Sequence, residues 1–229
     1  MGKKYNKRQG KFKEQRQIRP AFNLVPKTDK QSELMYAIEN NELICAIGCA
    51  GTGKTYVTAM MAAKYLLKGQ VKQIVLTRAN VPTGKSLGSF PGTVEEKMTP
   101  WLAPTLNVLK KALGEGDYEC RIGKSIIIQP LETIRGQSFD NAFIIVDESQ
   151  NLNIEELKAL TTRLGEGSTM ALLGDPNQSD VKNGSDLIKF TELCYEAKIN
   201  VPTIHFGLSD IVRSDIVGQL VRMFYEKGI

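Results

Sequence analysis

The chain has 229 residues, 41% of them hydrophobic, and carries a net charge of +5, which is enough apolar material for one compact enzyme domain. No apolar run approaches the roughly 18 residues of a membrane helix, so we expect no membrane partner, and the polar N-terminus is not typical of a signal peptide. Four cysteines without Cys-x-x-Cys spacing and a single histidine disfavour a structural zinc site and indicate reduced, cytoplasmic thiols.

The basic residues are concentrated at the N-terminus. Residues 1–20 hold eight Lys or Arg and one acid, a net charge of +7 that leaves −2 for the rest of the chain. Because such a polar segment cannot bury enough apolar surface to fold, we expect residues 1–22 to form a disordered tail and residues 23–229 to form the folded domain. Basic tails of this kind bind nucleic acid through its phosphates; a merely solvated tail is the alternative.

The rest of the chain alternates between helix-like and strand-like segments. Helices are predicted at residues 31–40, 55–67, 94–113, 154–164, 185–197 and 214–225. Strands are predicted at residues 43–47, 73–77, 125–129, 142–146, 170–173 and 202–206. We expect Pro100 and Pro104 to break or kink the helix that contains them, and the long loop at residues 78–92 to be functional or disordered. The alternation predicts an α/β fold in which helices flank a mostly parallel, doubly wound sheet.

A phosphate-binding pattern follows the first predicted strand. Residues 48–55 match Gly-x-x-x-x-Gly-Lys-Thr, with a strand before them and a helix after them, which is the context that the pattern requires. The loop's N–H groups and the helix N-terminus would surround phosphates, while Lys54 would reach the β- and γ-phosphates and Thr55 would bind Mg²⁺. The predicted nucleotide contacts are Gly48, Cys49, Ala50, Gly51, Thr52, Gly53, Lys54 and Thr55.

An acidic motif follows the strand predicted at residues 142–146. Asp147 and Glu148 come directly after an apolar run that suits a strand buried on both faces. Open parallel sheets bind ligands at the carboxyl ends of their strands, so Asp147 is predicted to bind the Mg²⁺ of Mg·ATP. Because adjacent side chains on a strand point to opposite faces, Glu148 is free to act as the general base on water. A strand that ends in a solvated acidic turn is the alternative.

From residue 28 onward the chain resembles the PhoH family of P-loop ATPases. The segments that carry the resemblance are residues 48–55, 76–78, 88–92, 130–136, 146–151, 174–178 and 209–213. Ser149 stands where the family usually has alanine, which does not affect the two acids before it. The resemblance implies a single RecA-like P-loop NTPase domain, similar to the first core domain of superfamily 1 helicases. It also implies ATP hydrolysis coupled to the binding or helicase-like remodelling of RNA or single-stranded nucleic acid.

The resemblance implies roles for three more residues at the nucleotide. Gln31 lies where helicase-like ATPases place a glutamine that bonds adenine, which suits an amide because it both donates and accepts; a solvated side chain is the alternative. Gln178 is expected to sense the γ-phosphate or orient water. Arg213 is the candidate arginine finger, with an ordinary ion pair at the start of the last helix as the alternative.

Nucleic-acid contacts are expected from Arg78 and Lys85 of the long loop, and from Thr133 and Arg135, which match a backbone-contact segment of helicase-like cores. A structural role is the alternative for Arg135. Since superfamily 1 helicases close their ATP site with a second domain, Arg213 acts either on its own site or on that of a neighbour. The resemblance favours a homo-oligomer, for example a hexameric ring.

Two other functions compete with the ATPase. A thymidine-type kinase also combines a phosphate loop with an acidic motif, but usually carries zinc-binding cysteines that have no counterpart here. A non-enzymatic, nucleotide-dependent adaptor that delivers a nuclease partner is the second, and it would be favoured if Glu148 were dispensable. Some members of the family carry a nuclease domain of the PIN type, to which nothing in this sequence corresponds.

Overall fold

The computed structural model describes residues 23–79, 94–134, 136–179 and 185–227. In these residues one sheet is formed by β1 (Leu43–Gly48), β2 (Gln73–Arg78), β3 (Ile126–Ile128), β4 (Ala142–Asp147), β5 (Thr169–Gly174) and β6 (Thr203–Phe206). The strands lie in the order β3-β2-β4-β5-β1-β6, and each neighbouring pair is parallel. The predicted α/β fold with a parallel sheet is confirmed. The predicted tail at residues 1–22 lies outside the described residues, as do residues 80–92 of the long loop.

The helices of the described residues are α1 (Asp29–Asn40), α2 (Lys54–Leu67), α3 (Val94–Leu113), α4 (Glu115–Arg121), α5 (Ile154–Thr161), α6 (Asp186–Glu196) and α7 (Asp215–Lys227). All six predicted helices are present; the bounds of α3 agree with the prediction, and each of the other five has at least one end shifted by one to three residues. The short helix α4 was not predicted, because two turns give too little periodicity to recognise. Within the described ranges, no helix combines the length and the apolar character that crossing a membrane requires.

Helices cover both faces of the sheet, and each face has its own apolar core. On β1, Ile44 and Ala46 point into the core that also contains side chains of α1, α2 and α3. Cys45 and Ile47 point the other way, into the core shared with α5 and α6. Because side chains alternate along a strand, strands buried between two helical layers are apolar at successive positions. For this reason each of these strands corresponds to an unbroken apolar run in the sequence.

The prolines were expected to break or kink helix α3; the helix continues through Pro100 and Pro104, so the break is wrong. Both prolines lie on the exposed side of the helix, where water can hydrate the carbonyl oxygens that lose an N–H partner. The opposite side buries Met98 and Leu102 in the core next to α2. Packing of this face offsets the hydrogen bonds that the prolines remove.

The parallel arrangement brings several strand ends to one edge of the sheet. At this edge β1 ends at Gly48, β2 at Arg78, β4 at Asp147 and β5 at Gly174. The phosphate-binding pattern and the acidic motif are therefore neighbours in space, with only β5 between β1 and β4.

Candidate nucleotide-binding site

The turn between β1 and α2 depends on its glycines. Gly48, Gly51 and Gly53 have φ angles of 129°, 82° and 88°, which other residues rarely adopt. At Gly48 a Cβ atom would lie only 1.9 Å from the main-chain oxygen of Phe206 in β6. The glycine spacing in the pattern is therefore required by the path of the backbone itself.

Lys54 folds back over this loop. Its Nζ donates to the main-chain oxygens of Gly48 at 2.6 Å and Cys49 at 2.8 Å, and only 9% of the residue is exposed. Burial lowers the pKa of the Lys54 ammonium, while the nearby charge of Asp175 acts in the opposite direction. A phosphate that reaches the loop would offer this buried cation a charged partner in place of neutral carbonyls.

The side chain of Gln31, in helix α1, is hydrogen-bonded to the phosphate loop. Its Nε2 donates to the main-chain oxygen of Thr52 at 2.9 Å, and its Oε1 accepts from the main-chain N–H of Lys27, also at 2.9 Å. The residue is 3% exposed, and the Thr52 hydroxyl donates to the oxygen of Cys49 at 3.0 Å. Gln31 thus supports the loop, a role that the sequence did not suggest.

The two predicted acids have different surroundings. Asp147 ends β4, and burial, followed by the charge of Glu148, raises the pKa of the Asp147 carboxyl. Glu148 has a φ of 53°, which lies in the left-handed region. Residues other than glycine adopt this region only where surrounding contacts enforce it. Its Oε1 lies 3.3 Å from Nη2 of Arg78, and its Oε2 accepts a bond of 2.6 Å from Gln150. Glu148 is therefore held on both carboxylate oxygens.

Gln150 is a functional candidate that sequence reasoning missed. It is 1% exposed; its Nε2 donates to Glu148, and its Oε1 accepts from the main-chain N–H of Asp175 at 3.1 Å. This side chain connects the ends of β4 and β5. Asp175 faces Lys54, and burial is the main cause that raises the pKa of the Asp175 carboxyl. The positions of these two residues in the sequence could have indicated them, because Gln150 lies two residues after the candidate base and Asp175 follows β5.

Most predicted nucleotide contacts line one cavity of about 690 Å³. Those that line it are Gln31, Ala50, Gly51, Gly53, Lys54, Thr55, Asp147, Glu148, Gln178 and Arg213. Gly48, Cys49 and Thr52 form the base of the loop instead, where their main-chain oxygens accept the bonds described above. Tyr56, Val25 and Lys27 extend the wall beyond the loop, next to Gln31.

Arg213 lies against the loop of its own chain. The main-chain N–H of Val212 donates to the oxygen of Gly51 at 3.0 Å. A Cβ atom added at Gly51 would lie 3.0 Å from Cγ of Arg213 and 3.3 Å from its Nε. The exposed guanidinium thus borders the cavity without help from another subunit.

The predicted nucleic-acid contacts fall in different places. Arg78 contacts Glu148 and donates through Nη1 to the main-chain oxygen of Trp101 at 2.8 Å, so it adjoins the candidate base. Thr133 is exposed in a short 3₁₀ turn after β3, and its hydroxyl donates to the oxygen of Pro130 at 2.9 Å. Lys85 and Arg135 lie outside the described residues.

Comparison with known proteins decides the family. A family model described as "PhoH-like protein" matches residues 23–225. The chain belongs to the PhoH family. It is 37% identical over 201 residues to a PhoH-like protein of Bacillus subtilis (strain 168), covering 86% of this chain and 63% of the relative. It is also 37% identical over 205 residues to Protein PhoH of Escherichia coli (strain K12), covering 87% and 57%. The chain therefore spans less than two thirds of the length of these relatives.

Solved structures confirm the fold of this PhoH-family chain. The large terminase from a thermophilic bacteriophage matches with a TM-score of 0.56 and 14% identity, over 88% of this chain and 52% of the terminase. Another crystal form of that terminase, in complex with ADP, gives a TM-score of 0.55 and 15% identity over 86% and 50%. At this identity the likeness shows a shared P-loop NTPase fold.

The donors in the PhoH-family cavity fit Mg²⁺. Thr55 offers a hydroxyl oxygen and Asp147 a carboxylate, and both line the cavity next to Lys54. Such hard oxygen donors suit Mg²⁺, which usually keeps several waters and takes one or two carboxylates together with phosphate oxygens. In the described part of the chain no group of three or more His, Cys, Asp or Glu could hold a metal, a set that Mg²⁺ does not need.

Proposed function

We propose that this PhoH-family domain, residues 23–229, hydrolyses ATP with Mg²⁺ and couples the reaction to RNA or single-stranded DNA. One observation carries the proposal: the phosphate loop with Lys54, the acids Asp147 and Glu148, and Arg213 all line the same cavity. A simple glycine-rich turn would explain the loop. It would not explain why an acidic pair and an exposed guanidinium converge on it.

In this proposal the residues of the cavity have separate roles in ATP hydrolysis. The loop N–H groups and Lys54 bind the phosphates, and the ammonium exchanges the oxygens of Gly48 and Cys49 for phosphate oxygens. Thr55 and Asp147 hold Mg²⁺, which when bound neutralises charge on the phosphates. Glu148 accepts the proton of the attacking water, and Gln178, which lines the same cavity, orients that water.

We infer that Arg213 acts in cis. The position of its side chain beside Gly51 supports this choice, because a planar guanidinium there is ready to stabilise charge on the transferring phosphoryl oxygens. Gln31 serves the same site indirectly by fixing the carbonyl of Thr52, and its adenine contact remains part of the proposal.

Nucleic acid is the proposed partner, through Arg78, Thr133 and, outside the described residues, Lys85, Arg135 and the basic tail. We also propose a cytoplasmic location, self-association and a nuclease partner. The exposed apolar side chains of α7, among them Ile216, Leu220 and Phe224, support self-association, which light scattering would test.

The decisive experiment is ATP turnover by the purified chain, with and without single-stranded RNA, single-stranded DNA or thymidine. Turnover that RNA or DNA raises is the expected result. Glu148→Gln should still bind Mg·ATP and lose roughly 10²–10⁴-fold in kcat, because an amide cannot accept the proton of water. Glu192→Gln, an exposed carboxylate on α6, is the matched control and should keep full activity.

Other results would select the alternatives. Phosphorylated thymidine would show a kinase. ATP binding without turnover, unaffected by Glu148→Gln, would show a nucleotide-dependent adaptor. A fall in kcat of less than tenfold in Glu148→Gln would mean that another group is the base.

A further inference from the structure

Arg78 connects the candidate general base to helix α3. Its Nη2 lies 3.3 Å from Oε1 of Glu148, and its Nη1 donates to the main-chain oxygen of Trp101 at 2.8 Å. The two charged side chains are partly exposed, at 27% for Arg78 and 33% for Glu148. The guanidinium is therefore within reach of a ligand that approaches from solvent, and it cannot give its best geometry to two anions at once.

Trp101 makes the surface beside Arg78 unusual. It is the single tryptophan of the chain, and it is 38% exposed although tryptophan is usually well buried. Lys97 lies four residues earlier in α3 and so shares that side of the helix. Proteins that hold single strands combine a basic groove for the phosphates with aromatic rings on which bases stack.

We propose that Trp101 and Arg78 form a contact site for single-stranded nucleic acid, in which a base stacks on the indole and a phosphate takes Arg78 away from Glu148. The proposal rests on the proposed ATPase function. It adds where the nucleic acid binds and how its binding changes the rate of ATP hydrolysis. Without nucleic acid, Arg78 and Gln150 together hold the carboxylate of Glu148 and compete with water for its oxygens. When a phosphate binds Arg78, Oε1 becomes available to the attacking water.

Two separate contacts hold the side chain of Glu148. Its φ of 53° is a costly backbone conformation, which persists only where surrounding contacts fix it. Arg78 and Gln150 supply such contacts on opposite carboxylate oxygens. Removing one of them leaves the carboxylate anchored on one side and free to turn on the other.

The first test measures nucleic-acid binding without any hydrolysis. Emission from Trp101 should fall in a saturable way when the protein is titrated with a uridine 12-mer, because the single indole reports its own stacking. By competition with a labelled 12-mer, Trp101→Ala should bind roughly five- to a hundredfold more weakly, while Trp101→Phe retains most of the affinity. Unchanged emission together with unchanged affinity of Trp101→Ala would overturn the site.

The second test measures coupling. Arg78→Ala should raise kcat without nucleic acid by about two- to fivefold, the effect of breaking one partly exposed ion pair, with the KM for ATP unchanged and stimulation by the 12-mer lost. Arg78→Lys keeps a cation near Glu148 without the planar guanidinium and should give a basal kcat between those of the wild type and Arg78→Ala. Lys72→Ala removes an exposed lysine just before the other end of the same strand and should behave as wild type.

The outcomes separate the two proposals. A basal kcat of Arg78→Ala that is lower than that of the wild type would overturn the coupling, since Arg78 would then orient Glu148 for catalysis. Stimulation that survives in Arg78→Ala would overturn it as well. If no chain hydrolyses ATP, the ATPase function and the coupling both fail, while the fluorescence and competition measurements still decide whether Trp101 binds the strand.

Discussion

Replacing Gln31 with alanine should destabilise the protein even when no nucleotide is bound. The family resemblance implies an adenine contact for this residue, with a solvated side chain as the alternative, and in neither case would the ligand-free protein depend on it. The structure instead joins its buried amide to the main chain of Lys27 and Thr52. Thr52 lies inside the phosphate loop, so loss of the amide should loosen the loop as well as the fold.

The size of the effect follows from the two bonds. The Thr52 carbonyl would be left without its donor in a buried place, which costs about 1–3 kcal/mol, and the Lys27 bond contributes about 0.5–1.5 kcal/mol. Allowing water to reach the partly exposed Lys27 N–H, we expect a loss of roughly 2–3 kcal/mol in the free energy of unfolding. For a chain of this length that corresponds to a fall of about 4–12 °C in Tm.

Thermal unfolding of the ligand-free protein measures this loss. Gln31→Glu is the informative second variant, because it keeps the acceptor for Lys27 and removes the donor to Thr52. Ser32→Ala changes the adjacent, exposed residue of α1 and should stay within about 0.5 kcal/mol of the wild type. An unchanged Tm for Gln31→Ala, combined with a lost preference for ATP over GTP, would refute the supporting role and leave the adenine contact alone.

Three further predictions concern charge. Burial raises the pKa of the Asp147 carboxyl, so its ionised form opposes folding at neutral pH. Asp147→Asn should therefore stabilise the ligand-free protein by roughly 0.5–2 kcal/mol at pH 7. The gain should be absent below the ordinary aspartate pKa of about 4, grow as the pH rises and level off once the carboxyl of the folded protein is ionised; melts at pH 4 and 7 test the sign. A mixture of Lys54→Ala and Arg213→Ala chains should recover no ATPase activity if Arg213 acts in cis; recovery would show a shared site. Deleting residues 1–20 should reduce the slope of log K against log salt by about 0.7 per lost phosphate contact, and an equal slope would mean a solvated tail.

Local features of the fold could be read from the sequence. Each predicted strand begins and ends within one residue of its observed bounds, because a parallel strand buried on both faces is a short apolar run between polar turns. Helix α3 shows where a local rule failed. The rule for Pro100 and Pro104 considers only the backbone of the helix, whereas the outcome was set by the face that packs on α2 and by the solvent on the other side.

The candidate site likewise combines features that the sequence predicted with contacts that it did not. The loop and the acids were predictable because each is contiguous in sequence and tied to a strand end. The contacts of Arg78 with Glu148, of Gln150 with Asp175 and of Arg213 with Gly51 were not. Each joins residues that are at least 25 positions apart, and periodicity carries no information on which strands become neighbours.

Strand order therefore decides what this site can do beyond binding phosphate. Because β2, β4, β5 and β1 are consecutive in the sheet, a line of side chains crosses their carboxyl ends. Arg78 contacts Glu148, Gln150 joins Glu148 to the main chain of Asp175, and the Asp175 carboxylate interacts with Lys54. The first links of this line are an ion pair and hydrogen bonds, and the last is the charge of Asp175 acting on Lys54. Such a line transmits a signal only if one member can change its position. We propose that Glu148 is that member, because each of its carboxylate oxygens depends on a different donor and nucleic acid can compete for one of them, Arg78.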